Sequence, residues 1–252
     1  MKMSGRQVQS VVLMLFSLSA WLGVEGAVWD LELCRTRESH WRIGQHGYIY
    51  SGQSDLLRSE EKSSVLTGDK EANLTAVTRD WAGAGDWCQL RCMDLVSLET
   101  EEEWRQVRQR MEDAGAPFIW TSGHICDRDV GPRCFTEPSL QPRLVNGWFW
   151  SGSASSLPPT DRAPPGWSLN PWGNTGIFTQ VNQQKDPGAP PVPQPDNGEQ
   201  RLKLLQGKEE ACLALATGLW QDETVWNDIA CYHQKEWICE DSDGLLSEAG
   251  LL

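Results

Sequence analysis

Five oxygen-bearing side chains crowd the last quarter of the chain: Gln194, Asp196, Glu210, Asn227 and Asp228. Three are carboxylates and two are amides. Hard oxygen donors, several of them charged, suit calcium, which takes ~6–8 oxygens; zinc prefers sulfur and imidazole nitrogen. Cys212 follows Glu210 by two positions, and Cys231 closes the Trp226-Asn227-Asp228 segment. A plainer reading exists for each piece. Trp226 suits a hydrophobic core with or without a metal, Asn-Asp pairs often make turns, and Pro195-Asp196 is a common turn dipeptide.

The wider pattern carries a resemblance. A Gln-Pro-Asp triplet, Glu two residues before Cys, WND-x-x-C and a closing I-C-E together resemble the C-type lectin family. Upstream, DWCQLRCMDLVSLETEEEW is similar to that family's two helices and the strand entry between them. FIWTSG and GWFWSGS are similar to its central strands. The wording of CQLRCMD and GWFWSG is closest to secreted arthropod members.

The resemblance implies an α+β C-type lectin-like fold: two helices, small antiparallel sheets and a long irregular loop. It implies calcium ligation by Gln194, Asp196, Glu210, Asn227 and Asp228, with the same five residues binding carbohydrate. Calcium would leave positions for two adjacent sugar hydroxyls, each flanked by a carboxylate and an amide. Gln-Pro-Asp is the galactose or GalNAc order, whereas Glu-Pro-Asn would suggest mannose. The Gln194–Pro195 bond is cis in that family. Two disulfides are also implied, Cys88–Cys239 and Cys212–Cys231. Cys126 and Cys134 lie close enough for a local bridge, which leaves Cys34 and Cys92 to each other.

The remaining chain must position that set. Lys2 and Arg6 precede the apolar run VVLMLFSLSAWLGV, which reads as a signal peptide, residues 1–26, cleaved after Gly26. The run is shorter than the ~20 residues of a membrane span. Eight cysteines, an even number, then follow in an oxidising, extracellular context. Eight allow about 105 pairings, so cysteine counting alone does not choose. Removing residues 1–26 takes away Lys2, Arg6 and Glu25, so the net charge moves from −13 to −14. An acidic chain without a basic stripe argues against nucleic acid and anionic membranes as partners.

Residues 27–44 read as an N-terminal extension, 45–240 as the lectin-like domain and 241–252 as a frayed tail. HGYIYS reads as a first strand. Residues 51–76 read as a polar insert carrying the sequon Asn73-Leu74-Thr75, a glycosylation acceptor. A first helix is expected over roughly 78–91, with Gly83 and Gly85 weakening its early turns. A second begins at Thr100, with Glu103 completing a capping box and Trp104, Val107 and Met111 forming one buried stripe. Short strands follow at Phe118–Trp120 and Trp148–Trp150. Residues 157–209 form the second insert; ten of the chain's fourteen prolines lie there, and no regular element is expected over 157–200. CLALA, TVW and EWICE supply closing strands. Thirteen tryptophans lie beyond the signal, too many to be anything but mainly core.

No enzyme is expected. G-x-S-x-G, H-E-x-x-H and Walker A sequences are absent, and His40, His46, His124 and His233 lack metal-ligand spacing. The leading expectation is a secreted, calcium-dependent lectin of galactose/GalNAc type that binds glycans or glycoproteins. The alternative is an extracellular matrix or cuticle interaction module that keeps only the scaffold.

Overall fold

The computed structural model describes residues 29–53, 78–128, 130–219 and 223–252. The signal peptide, most of the 51–76 insert and Asn73 lie outside the described residues. Among those described, no helix is long and apolar enough to cross a membrane.

The N-terminal segment is built into the domain. Asp30 caps α1 (Leu31–Thr36), accepting the N–H groups of Glu32 and Leu33 at 2.9 and 3.0 Å. The strands β1 (Trp41–Ile43) and β2 (His46–Tyr50) then form an antiparallel hairpin. Residues 41–43, expected in an extension, are therefore a strand of the sheet.

Helix α2 runs Trp81–Gln89, starting later than expected because Asp80 caps it and accepts Gly83 N–H at 2.8 Å. β3 (Met93–Leu95) leads to α3 (Glu101–Ala114). Thr100 Oγ1 accepts Glu103 N–H at 3.1 Å, and Gly115 ends the helix in the left-handed region at φ 65°. The other half of the expected capping box is displaced by one residue. The Glu103 carboxylate takes the N–H of Glu99 at 3.1 Å and the hydroxyl of Tyr48 at 2.6 Å. Trp104, Val107 and Met111 are the buried stripe of α3.

β4 extends over Phe118–Ile125, well beyond the three residues expected. It is followed by the Cys126–Cys134 loop, the single turn α4 (Arg143–Asn146), β5 (Trp148–Trp150) and β6 (Ser155–Ser156). The proline-rich stretch is not devoid of regular structure. It contains α5 (Ile177–Lys185) and α6 (Gly198–Leu202). Then come β7 (Cys212–Thr217), β8 (Thr224–Ile229), β9 (Glu236–Asp241) and α7 (Asp243–Glu248). The tail is thus ordered rather than frayed. Ser242 caps α7, and Leu246 is buried against the Cys34–Cys92 disulfide.

β9 is the hub of the sheet. It pairs antiparallel with β2 and β3 and parallel with β4. β4 pairs antiparallel with β5 and β7, and β7 with β8. One parallel contact therefore joins the two antiparallel groups. The four cysteine pairs are Cys34–Cys92, Cys88–Cys239, Cys126–Cys134 and Cys212–Cys231.

Tryptophan dominates the interior. Trp120, Trp148, Trp226 and Trp237 are all but inaccessible. Trp226 meets Trp104, Trp150, Trp167 and Trp172 edge-on, with centroids 5.2–6.1 Å apart. Trp172 also forms a parallel bridge to Trp226. Gly173 donates to the Trp226 carbonyl at 3.0 Å, and Trp226 donates to the Pro171 carbonyl at 2.8 Å. Those bonds lay the start of the long loop against β8.

Candidate cation and ligand site

The long loop brings Gln194 back to β8. Gln194 N–H donates to the Gly173 carbonyl at 2.7 Å, which hooks residue 194 onto the segment already paired with Trp226. The Gln194–Pro195 peptide bond is cis, as is Gln141–Pro142. Asp196 follows, and its N–H donates to Asp228 Oδ1 at 3.1 Å. Asn197 N–H donates to Asp228 Oδ2 at 2.7 Å. Both oxygens of Asp228 are thus aimed at the loop by its backbone.

Glu210 arrives from the other side, two residues before β7. Its N–H donates to Asn197 Oδ1 at 3.0 Å. Cys212–Cys231 ties the start of β7 to the end of β8, with Cα atoms 5.2 Å apart. In that ladder Leu213 faces Asp228 and Ala214 faces Asn227.

All five residues line one cavity of about 360 Å³. Carboxylate oxygens of Asp196, Glu210 and Asp228 lie within 4.8 Å of one another. The amide of Gln194 donates to the Asp196 carboxylate. Asn227 turns its Nδ2 onto the carbonyl of Asp228, its own neighbour. The rest of the wall is apolar: Phe118, Ile177, Leu204, Leu205 and Ile229.

Close backbone packing makes this possible. A Cβ on Gly176 would collide with Gln194 Nε2, and one on Gly198 would sit 2.7 Å from Ile177 and 2.8 Å from Asp196 Oδ1. Asn197 occupies the left-handed region at φ 51°, which Asn tolerates better than most residues.

Electrostatically the cluster is under tension. Burial, then the charges of Asp228 and Asp196, push the Glu210 carboxyl far above the usual range. Burial and the Asp196 charge do the same to Asp228, and burial raises Asp196. Three carboxylates cannot all ionise in so dry a space unless protons or a cation compensate them. Asp196 Oδ2 is buried without a hydrogen-bond partner. An all-oxygen donor set with an orphaned carboxylate oxygen fits a hard divalent cation of the calcium type. His124, Cys212 and Cys231 also lie close together, but those two cysteines are spent in their disulfide and offer no thiolate.

Sequence reading passed over Asn197 and Glu199. Asn197 stands beside the Gln-Pro-Asp triplet, and its tolerance of positive φ was the available signal. Glu199 gave none. It is 4% exposed, and its carboxylate accepts Tyr232 OH at 2.6 Å and pairs with His233 Nε2 at 2.9 Å. Burial pushes its pKa up, but those two partners outweigh it and the net shift is downward.

No protein-family model matches the chain. No curated protein matches it either. Solved structures do. The crystal structure of human lithostathine is 15% identical, covers 82% of this chain and 90% of its own, and has a TM-score of 0.42. The mouse scavenger receptor C-type lectin carbohydrate-recognition domain is 16% identical, with 80% and 92% coverage and a TM-score of 0.40. SPL-1 in complex with GlcNAc is 16% identical, with 80% and 91% coverage and a TM-score of 0.42. The likeness is one of fold: the chain is α+β, and these neighbours are C-type lectin-like domains.

Proposed function

We propose that this chain is a secreted lectin that binds one calcium ion through Asp196, Glu210 and Asp228, with Gln194 and Asn227, and binds a glycan through that ion. The convergence of three buried carboxylates on one point carries the reading. Bound calcium would neutralise most of their charge and offer coordination positions to paired hydroxyls. The protein's own part is to hold the donors. Asp228 clamps the loop, Asn197 aligns Glu210, and the disulfide fixes β7 to β8. The order Gln194-Pro195-Asp196 supports a galactose or GalNAc ligand over mannose.

The test is calorimetry on the full secreted chain. Calcium should bind with sub-millimolar affinity, and galactose should bind in calcium but not in EDTA. Absence of calcium binding would remove the proposal. One observation favours the rival, an extracellular interaction module on the same scaffold: the five donor residues are 1–6% exposed behind an apolar wall. Calcium binding with a silent glycan array would select that rival.

A further inference from the structure

The cavity has two unlike parts. Its polar part is the donor set; its aliphatic part comes largely from the short segment after α6. There Lys203, Leu205 and Gly207 all take positive φ, at 54°, 48° and 60°. A bulky residue such as leucine is unfavourable in that region, and such outliers cluster at ligand-binding places. The turn leaves Leu205 80% exposed although it lines the cavity, so it stands at the opening. Leu204 lies beside it, with Ile177 and Ile229 deeper in the same wall.

This wall is held in place. Leu204 N–H donates to the Glu199 carbonyl at 3.0 Å, and Gly207 N–H to the Leu204 carbonyl at 2.7 Å. The Glu199 side chain is gripped by Tyr232 and His233 from the β8–β9 turn. Leu205 is therefore presented on an anchored segment.

Charge narrows the ligand further. Three carboxylates and a divalent cation leave a net negative site, and Glu199 adds another carboxylate to the lining. An acidic sugar would be repelled, whereas neutral hydroxyls would not.

We infer that Leu204 and Leu205 form a specificity wall, and that the ligand is a neutral sugar with a methyl-terminated substituent, acetamido or deoxy, next to its cation-bound hydroxyls. The inference rests on the carbohydrate reading and narrows it. An aliphatic wall rewards one additional buried methyl group by about tenfold in affinity.

Calorimetry in saturating calcium tests it with matched pairs. Galactose is compared with N-acetylgalactosamine and, separately, with its 6-deoxy derivative. In the unmodified chain the methyl-bearing member of one pair should bind about tenfold more tightly, and which pair responds identifies the substituent. Leu205→Ser should bring that ratio close to one and leave calcium affinity unchanged. Equal affinities within both pairs, or a ratio that survives Leu205→Ser, would overturn the specificity wall while leaving the lectin reading intact. Tighter binding of a sialylated galactoside would overturn the requirement for neutrality. Calcium binding without any sugar binding would defeat both readings at once.

Discussion

Asn197 joins two of the three carboxylate segments: its backbone N–H reaches Asp228 Oδ2 at 2.7 Å, while its side-chain oxygen receives the N–H of Glu210 at 3.0 Å. The donors are thus assembled by protein hydrogen bonds rather than gathered by an ion. Asn197→Ala should leave a buried amide at Glu210 unpaired, costing about 1–3 kcal/mol. It also places a Cβ residue without local hydrogen bonding at φ 51°, which adds about 1–2 kcal/mol. Asn197→Gly should restore the backbone part only. Denaturant titration of the three proteins separates the contributions, and calcium titration should show weaker binding in both variants.

Asp228→Asn should act in opposite directions with and without calcium. In EDTA the substitution removes one of three mutually repelling buried carboxylates and keeps an oxygen for Asn197 N–H, so stability should hold or rise. In calcium the variant lacks a charged donor and should bind at least about a hundredfold more weakly. Thermal melts in EDTA and in millimolar calcium make the comparison. A variant that melts lower in EDTA by several degrees would show that the carboxylate is needed for its hydrogen bonds rather than for an ion.

The five donors were legible because their types are restrictive and cysteines flank them. Thr100 and the Trp104–Val107–Met111 stripe were legible because they depend only on local spacing. α5 was not, because Ile177–Lys185 is held from outside. Thr179 Oγ1 accepts the Val192 N–H at 2.8 Å and donates to the Val192 carbonyl at 3.2 Å, and Arg201 lies 3.8 Å over the Phe178 ring. None of these contacts shows in a local pattern full of glutamines between prolines. α7 was overlooked although Ser242 is a sound cap, because its reason to form is Leu246 against Cys34–Cys92, half a chain away. Glu199 likewise reads as a surface residue until Tyr232 and His233 are brought to it.

Glu240 gives a pH signature separate from the cation site. It is 9% exposed, and burial, then the charge of Glu103, raises its pKa well above that of a free carboxyl. Between the unfolded pKa of about 4.3 and the raised folded value, the native state holds more protons than the unfolded state. Stability must therefore fall as pH rises through that window, by up to about 1.4 kcal/mol per unit. Glu240→Gln keeps an oxygen for Ser97 N–H, now 2.8 Å away, and gains a donor toward Glu103. The variant should match the unmodified protein near pH 4 and exceed it increasingly toward pH 8. Chemical denaturation in EDTA at four pH values checks this, and parallel curves would refute it.

The Cys212–Cys231 disulfide and the β7–β8 ladder both bind Glu210's segment to Asp228's, and they can be told apart. The bridge spans 19 residues, a loop whose closure is worth about 3 kcal/mol in the chain-entropy account. The ladder pairs six residues on each strand, from Cys212–Ile229 to Thr217–Thr224, and survives reduction of the bridge. Replacing both cysteines by serine should thus lower stability by about 3 kcal/mol while calcium affinity falls by less than about tenfold. The donors remain in register on paired strands, and only the unfolded chain gains freedom. Retained stability with abolished calcium binding would reverse the assignment: the bridge would then set the site's geometry, and the ladder would not hold Glu210 and Asp228 together without it.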